Sequence, residues 1–413
     1  ATLPPDRGAI PIGSRLALAL GWWQQRVKNE GSAMKYDVIS ADCHVDLIWL
    51  PPDLFTANAS AAFKDRMPYV TDGPRGRELV TKNGASFGLD AWMGSAGRQY
   101  VPGKIHRSDR MASTGLYDDA QKEVRRLTDP DLRLRDQDRD GVQAEVLYGI
   151  LGATNRLNDN EAAGAMLRIY NDWLADFCSK QPERYAGLAC IPNHDRDAAV
   201  TEIERVALRG AVRGLEIARK YDMMPLWDPW WTPVWDAAAA TGLPVHFHTI
   251  GGARRDFSKL SGKTLLAARA SSITQFQMHM ADVLMSIIFA GVLEHRPHLK
   301  IVIGEAGTGW IPYILDRMDA EWEDQFKELD LKMTPSEYWH RQCYATYQSD
   351  PVGVKLLEEL GEDNIMWGSD FPHPDGVWPD SQEYIEKELG HLPPATKKKI
   401  VCDNAAKLYR FVN

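Results

Sequence analysis

Two hydrophobic rhythms alternate along most of this chain. Short, nearly uninterrupted apolar runs over residues 143–149, 185–191, 212–218, 244–249, 300–305, 342–347 and 364–370 predict strands. Between them lie longer stretches with apolar positions at helical spacing. The clearest covers 159–181, where Ala163, Met166, Leu167, Tyr170, Leu174 and Phe177 fall on one face. Further helices are predicted over 195–209, 230–241, 267–295 (as one or two), from Trp310 onward, and over 351–360. Strands that are apolar throughout, rather than alternating, belong to a parallel sheet covered on both faces. Counting residues 37–42 as the first, eight strand–helix units are present, which predicts an α/β fold of the (β/α)8 TIM-barrel type.

The rhythm is interrupted once. Between the first and second strands, residues 47–142 form an insertion too long for a structureless loop, so a cap-like subdomain is expected there. It closes on a highly charged helix over 131–140, stopped by Gly141. Residues 1–33 precede the barrel proper, which spans 34–413. Their Leu16–Trp23 stretch suggests an amphipathic arm packed on the body or on a second subunit.

The polar positions that break the apolar runs fall at predicted strand ends, where barrels of this type carry their chemistry. Strand one ends in Asp42-Cys43-His44-Val45-Asp46, three metal-type side chains at alternate positions. Strand five carries His246 and His248, strand six ends at Glu305, and strand eight ends at Asp370. His248, nearer the strand end, is preferred to His246. Three other ends offer less: Tyr148 on strand two, Glu216 and Arg219 on strand four, and Thr346 and Gln348 on strand seven. His279, in the segment after strand five, and Asp46 remain secondary candidates.

Composition narrows the class without changing this picture. The 413 residues are 44% hydrophobic and 25% charged, as in an ordinary globular chain. A net charge of −9 with no basic run argues against a nucleic-acid partner. No apolar run has membrane-spanning length. Five scattered cysteines with no CxxC pair suit a reducing cytoplasm.

Taken together, Asp42-x-His44, Leu243-Pro244-Val245-His246-Phe247-His248, Pro297–Gly307 and Trp367-Gly368-Ser369-Asp370-Phe371-Pro372-His373 resemble the metal-dependent amidohydrolase superfamily. The resemblance spans residues 34–412, and its nearest branch also holds the aromatic-acid and aminocarboxymuconate-semialdehyde decarboxylases. It implies Asp42, His44, His248 and Asp370 as metal ligands, with Glu305 as a ligand or base where many relatives have histidine. Aligned differently, His44 and Asp46 would be the strand-one pair. It further implies one or two divalent ions, zinc first and iron or manganese as alternatives. The expected reaction is hydrolysis of an amide, ester, lactone or thioester by a metal-activated water, with Asp370 taking the proton and Glu305 or His373 relaying it. Replacement of the strand-six histidine favours hydrolysis over the alternative, non-oxidative decarboxylation of an aromatic acid. A catalytically inactive scaffold barrel is the third reading. Arg219, Arg254, Arg255, Trp49 and Trp310 are candidate contacts for a small carboxylate-bearing substrate, and a homodimer is expected.

Overall fold

In the computed structural model, residues 34–411 are described apart from 75, 91–101, 104–105, 151, 221 and 250–256. The arm expected over residues 1–33, and Arg254 and Arg255, lie outside the described residues. Strand β1 (Ile39–His44) opens the main sheet. After the insertion follow β5 (Ala144–Tyr148), β6 (Tyr185–Cys190), β7 (Val212–Glu216), β8 (Val245–His248), β9 (Ile301–Gly304), β10 (Cys343–Tyr347) and β11 (Ile365–Trp367). These eight are parallel and hydrogen-bonded in the order β1-β5-β6-β7-β8-β9-β10-β11. Helices surround them, making a TIM-barrel-like fold. Closure falls just beyond β11: Asp370 N–H donates to the Asp42 carbonyl and His44 N–H to the Phe371 carbonyl, both at 2.8 Å.

The hydrophobic pattern explains this arrangement. Every residue of β1, β5, β6, β7, β8 and β9 is buried, because helices cover the outside and side chains fill the inside. Helix Asn160–Cys178 buries the apolar face read from its spacing, and Asp159 caps it by accepting from Ala162 N–H. The long segment after β8 divides more finely than its pattern suggests. Helix Gly262–Phe276 carries no buried residue, a 3-10 turn covers Gln277–His279, and the buried apolar face begins only in helix Met280–Phe289.

The insertion has its own elements. Strands β2 (Tyr69–Gly73), β3 (Gly76–Val80) and β4 (Ser86–Leu89) form an antiparallel meander, and helix Pro130–Asp140 leads back to the barrel. Leu50, Phe55, Met67, Leu79, Phe87 and Tyr117 from this region join Cys43, Leu147, Phe371 and Trp378 in a second apolar core. The insertion is therefore packed against the end of β1 that carries Asp42 and His44.

Candidate metal centre

Because the eight strands are parallel, their C-terminal ends share one face, and five polar side chains converge there. Asp42 and His44 come from β1, His248 from β8, Glu305 from just past β9, and Asp370 from just past β11. His44 Nε2 lies 3.2 Å from Asp42 Oδ1 and 2.9 Å from Asp370 Oδ1. His248 Nε2 lies 3.5 Å from both Asp42 Oδ1 and Glu305 Oε2. Ligand-type atoms of Asp42, His44 and His248 fall within 4.8 Å of one another, and so do those of His44, Glu305, Asp370 and His373.

None of the short His–Asp42 or His–Glu305 contacts has hydrogen-bond geometry. Asp42 Oδ1, His44 Nε2, His248 Nε2 and Asp370 Oδ2 are all buried without a hydrogen-bond partner. Buried polar atoms are ordinarily paired, so Asp42 Oδ1 facing both histidine nitrogens, with the Asp370 carboxylate against His44, calls for a common partner. Two imidazoles and two carboxylates fit a divalent cation of the zinc, iron or manganese type.

Backbone geometry aims the two late carboxylates. Glu305 and Asp370 have φ values of 49° and 57°, a region that costs a non-glycine residue energy. Each is held by its own N–H: Glu305 to Asp42 Oδ2 at 3.0 Å and Thr346 Oγ1 at 2.8 Å, and Asp370 to the Asp42 carbonyl at 2.8 Å. Two glycines make room. A Cβ on Gly304 would meet the Tyr148 hydroxyl at 2.7 Å and the His248 ring at 2.9 Å, and one on Gly368 would meet Asp42 Cβ at 2.5 Å.

The local electrostatics follow from these contacts. Burial alone would raise the Asp42 carboxyl, but His248 and His44 hold it far below its ordinary range. His373 and His44 likewise outweigh burial at Asp370 and bring it to about 2. Glu305 is pushed well up, first by burial and then by the negative charges of Asp370 and Asp375. His373 is raised despite burial, because Asp370 and Asp46 flank it, at 2.9 Å from Nδ1 and 3.3 Å from Nε2.

The remaining candidates separate clearly. Asp46 points at His373 and lies outside both ligand clusters. His246 sits one alternation deeper in β8, with Nδ1 2.9 Å from the Tyr148 hydroxyl, and burial lowers it to about 3, so it is a neutral structural imidazole. His279 lies outside both clusters. Its carbonyl accepts from Arg219 Nη1 at 2.8 Å, while Arg219 Nη2 pairs with Asp282 at 2.6 Å. Arg219 is thus engaged away from the centre. Trp49 is buried with its ring centroid 6.0 Å from that of His373, and Trp310 donates Nε1–H to the Ala306 carbonyl at 2.7 Å.

Two residues carry more than the sequence suggested. Arg133, one charge among many on the highly charged helix, is fully buried. It pairs with Glu145 at 2.5 Å and donates to the His44 carbonyl at 3.0 Å. Nothing in its local sequence marks it. Thr346, one of the lesser strand-end candidates, donates to Asp42 Oδ2 at 2.5 Å.

Comparison with known proteins shows the family and the reactions of its relatives. The amidohydrolase family model matches residues 41–411. A γ-resorcylate decarboxylase from Rhodococcus jostii is 27% identical over 75% of this chain and 96% of its own length. The structure of a 5-carboxyvanillate decarboxylase from Sphingomonas paucimobilis superposes with a TM-score of 0.64 at 22% identity, over 92% of this chain and all of that one. A dihydroxybenzoic acid decarboxylase from Polaromonas sp. JS666, solved with bound manganese and 2-nitroresorcinol, gives 0.58 at 23% identity over 73% and 92% of the two chains. These relatives overturn the expectation of hydrolysis. Its ground was the loss of the strand-six histidine, but a buried carboxyl raised well above its usual range can carry a proton as an imidazole does. Loss of the histidine is therefore no ground against decarboxylation.

Proposed function

This protein belongs to the amidohydrolase family and is an enzyme of that superfamily; from that premise we propose that it is a metal-dependent, non-oxidative decarboxylase of a hydroxylated aromatic carboxylic acid. The observation that carries this reading is the match to γ-resorcylate decarboxylase along nearly that protein's whole length. The site geometry supports it. Asp42, His44, His248 and Asp370 would hold the ion, and the manganese in the Polaromonas structure favours manganese over the zinc first expected. When bound, a divalent ion supplies positive charge that attracts the substrate carboxylate and an adjacent hydroxyl oxygen.

The protein groups then divide the work. His373, held between Asp46 and Asp370, fixes the Asp370 carboxylate in place. Glu305, whose side chain keeps 12% of its surface exposed, delivers its proton to the ring carbon bearing the carboxylate. A C–H bond forms there and the C–C bond to the carboxylate breaks. The bonding pair returns to the ring and carbon dioxide leaves. Glu305 then recovers a proton from water at its exposed edge. Trp49 and Trp310 stand near enough to the strand ends to border an aromatic substrate.

The test is to incubate manganese-loaded protein with γ-resorcylate, 5-carboxyvanillate and related hydroxybenzoates in deuterated water, beside a panel of amides, esters and lactones. Carbon dioxide release with one deuteron placed at the vacated ring carbon is expected. Turnover of the hydrolysis panel with no carbon dioxide from any hydroxybenzoate would refute the reading.

A further inference from the structure

The Thr346 hydroxyl bridges three strands at the centre of the site. Thr346 is fully buried near the end of β10. Its Oγ1 donates to Asp42 Oδ2 at 2.5 Å, beside the end of β1. The same oxygen accepts the Glu305 N–H at 2.8 Å, just past β9. The Glu305 N–H also reaches Asp42 Oδ2, at 3.0 Å. One oxygen of Asp42 is therefore occupied twice by the protein. The other, Oδ1, has no hydrogen-bond partner and faces His44 Nε2 and His248 Nε2 at 3.2 and 3.5 Å.

This asymmetry needs a cause, because the terminal torsion of an aspartate is soft. Rotation about Cβ–Cγ meets no deep staggered wells, so burial alone does not choose which oxygen faces the histidines. A donor on one oxygen does. A hydroxyl is costly to bury unless its partners repay it, and here they are the Asp42 carboxylate across the barrel and the Glu305 amide just past the adjoining strand. Valine would fill the same space in β10 at no cost to strand propensity. The geometry points to Thr346 as a positioning residue: its hydroxyl fixes the Asp42 carboxylate so that a single oxygen faces the metal, and it anchors the backbone amide that aims Glu305.

This inference rests on the metal site proposed above, so its test reads metal binding directly. Thr346→Ala and Thr346→Ser both lose the γ-methyl and differ only in the hydroxyl; Thr346→Val adds a size-matched control. Manganese affinity is measured by titration calorimetry on protein first stripped with chelator, and folding of each stripped variant is followed by circular dichroism. Ala and Val are expected to bind manganese about 10–100-fold more weakly than wild type, the range for lost outer-shell partners, with Ser restoring affinity to within about threefold. The Ala–Ser pair remains decisive if Val does not fold. Equal manganese affinity in Ala and Ser, within about twofold, would overturn the role of the hydroxyl. Wild-type protein that takes up no manganese, zinc or iron would instead overturn the metal reading beneath it.

Discussion

Replacing Arg133 by methionine tests whether the buried ion pair behind the site supports it. Arg133 and Glu145 are both fully inaccessible, joined by Nε–Oε1 and Nη2–Oε2 contacts of 2.5 and 2.9 Å. The guanidinium also donates from Nη1 to the His44 and Leu127 carbonyls at 3.0 and 3.1 Å, and lies 5.0 Å over the Phe371 ring. One side chain thus braces β1 and the segment leading from Asp370 to His373. Methionine fills most of the volume but leaves the Glu145 carboxylate buried and unpaired, which typically costs about 3–5 kcal/mol. Removing both charges with Arg133→Met/Glu145→Met should recover most of that loss, since a well-packed apolar pair often matches a buried ion pair. Chemical denaturation of the stripped protein, followed by circular dichroism, measures both variants. A single mutant within about 1 kcal/mol of wild type, or a double mutant no better than the single, would refute the reasoning.

Other consequences can be checked alongside. Glu305→Gln should lower carbon dioxide release by about 10²–10⁴-fold, through loss of the group that delivers the proton, measured at saturating manganese. Chelation should abolish turnover and manganese should restore it more fully than zinc, followed by activity against metal content. Gly304→Ala should weaken manganese binding by about 10–100-fold, because its Cβ would press on the Tyr148 hydroxyl and the His248 ring, at an overpacking cost of about 1–3 kcal/mol seen in thermal melts. Burial raises the Asp140 carboxyl from 3.8 to about 7, so the folded protein keeps a proton that the unfolded chain releases. Its contribution is full below pH 3.8 and is lost as pH rises toward 7. The stability difference between wild type and Asp140→Asn should therefore shift by up to about 4 kcal/mol across that window, measured by denaturation at several pH values.

Much of the barrel was legible because its signals are local. An apolar run bounded by polar residues encodes a buried strand, and a parallel barrel places every strand's C-terminal end on one face. A polar side chain at the end of its own strand therefore needs only its own neighbourhood to be singled out as a candidate. That is why Asp42, His44, His248, Glu305 and Asp370 could be named from short stretches far apart in the chain. Glu305 lies one residue past its strand, and the last strand departs furthest. It ends at Trp367, and Asp370 reaches the site three residues further on with a left-handed backbone.

What only the tertiary structure decided is the partner of each polar group. His246 and His248 share one face of β8, and depth separates them: the deeper ring meets Tyr148, 98 residues away, while the outer one meets Asp42. Asp46 continues the alternation of Asp42 and His44 but leaves the strand and turns to His373. Arg133 shares its helix with exposed charges and is buried only because that helix is laid against β1, 89 residues back. The Thr346 hydroxyl gains its meaning from Asp42, 304 residues away. Periodicity along the chain fixes which residues are buried and at which strand end they lie. The hydrogen bonds and charges they meet there come from other strands, brought within reach only when the barrel closes.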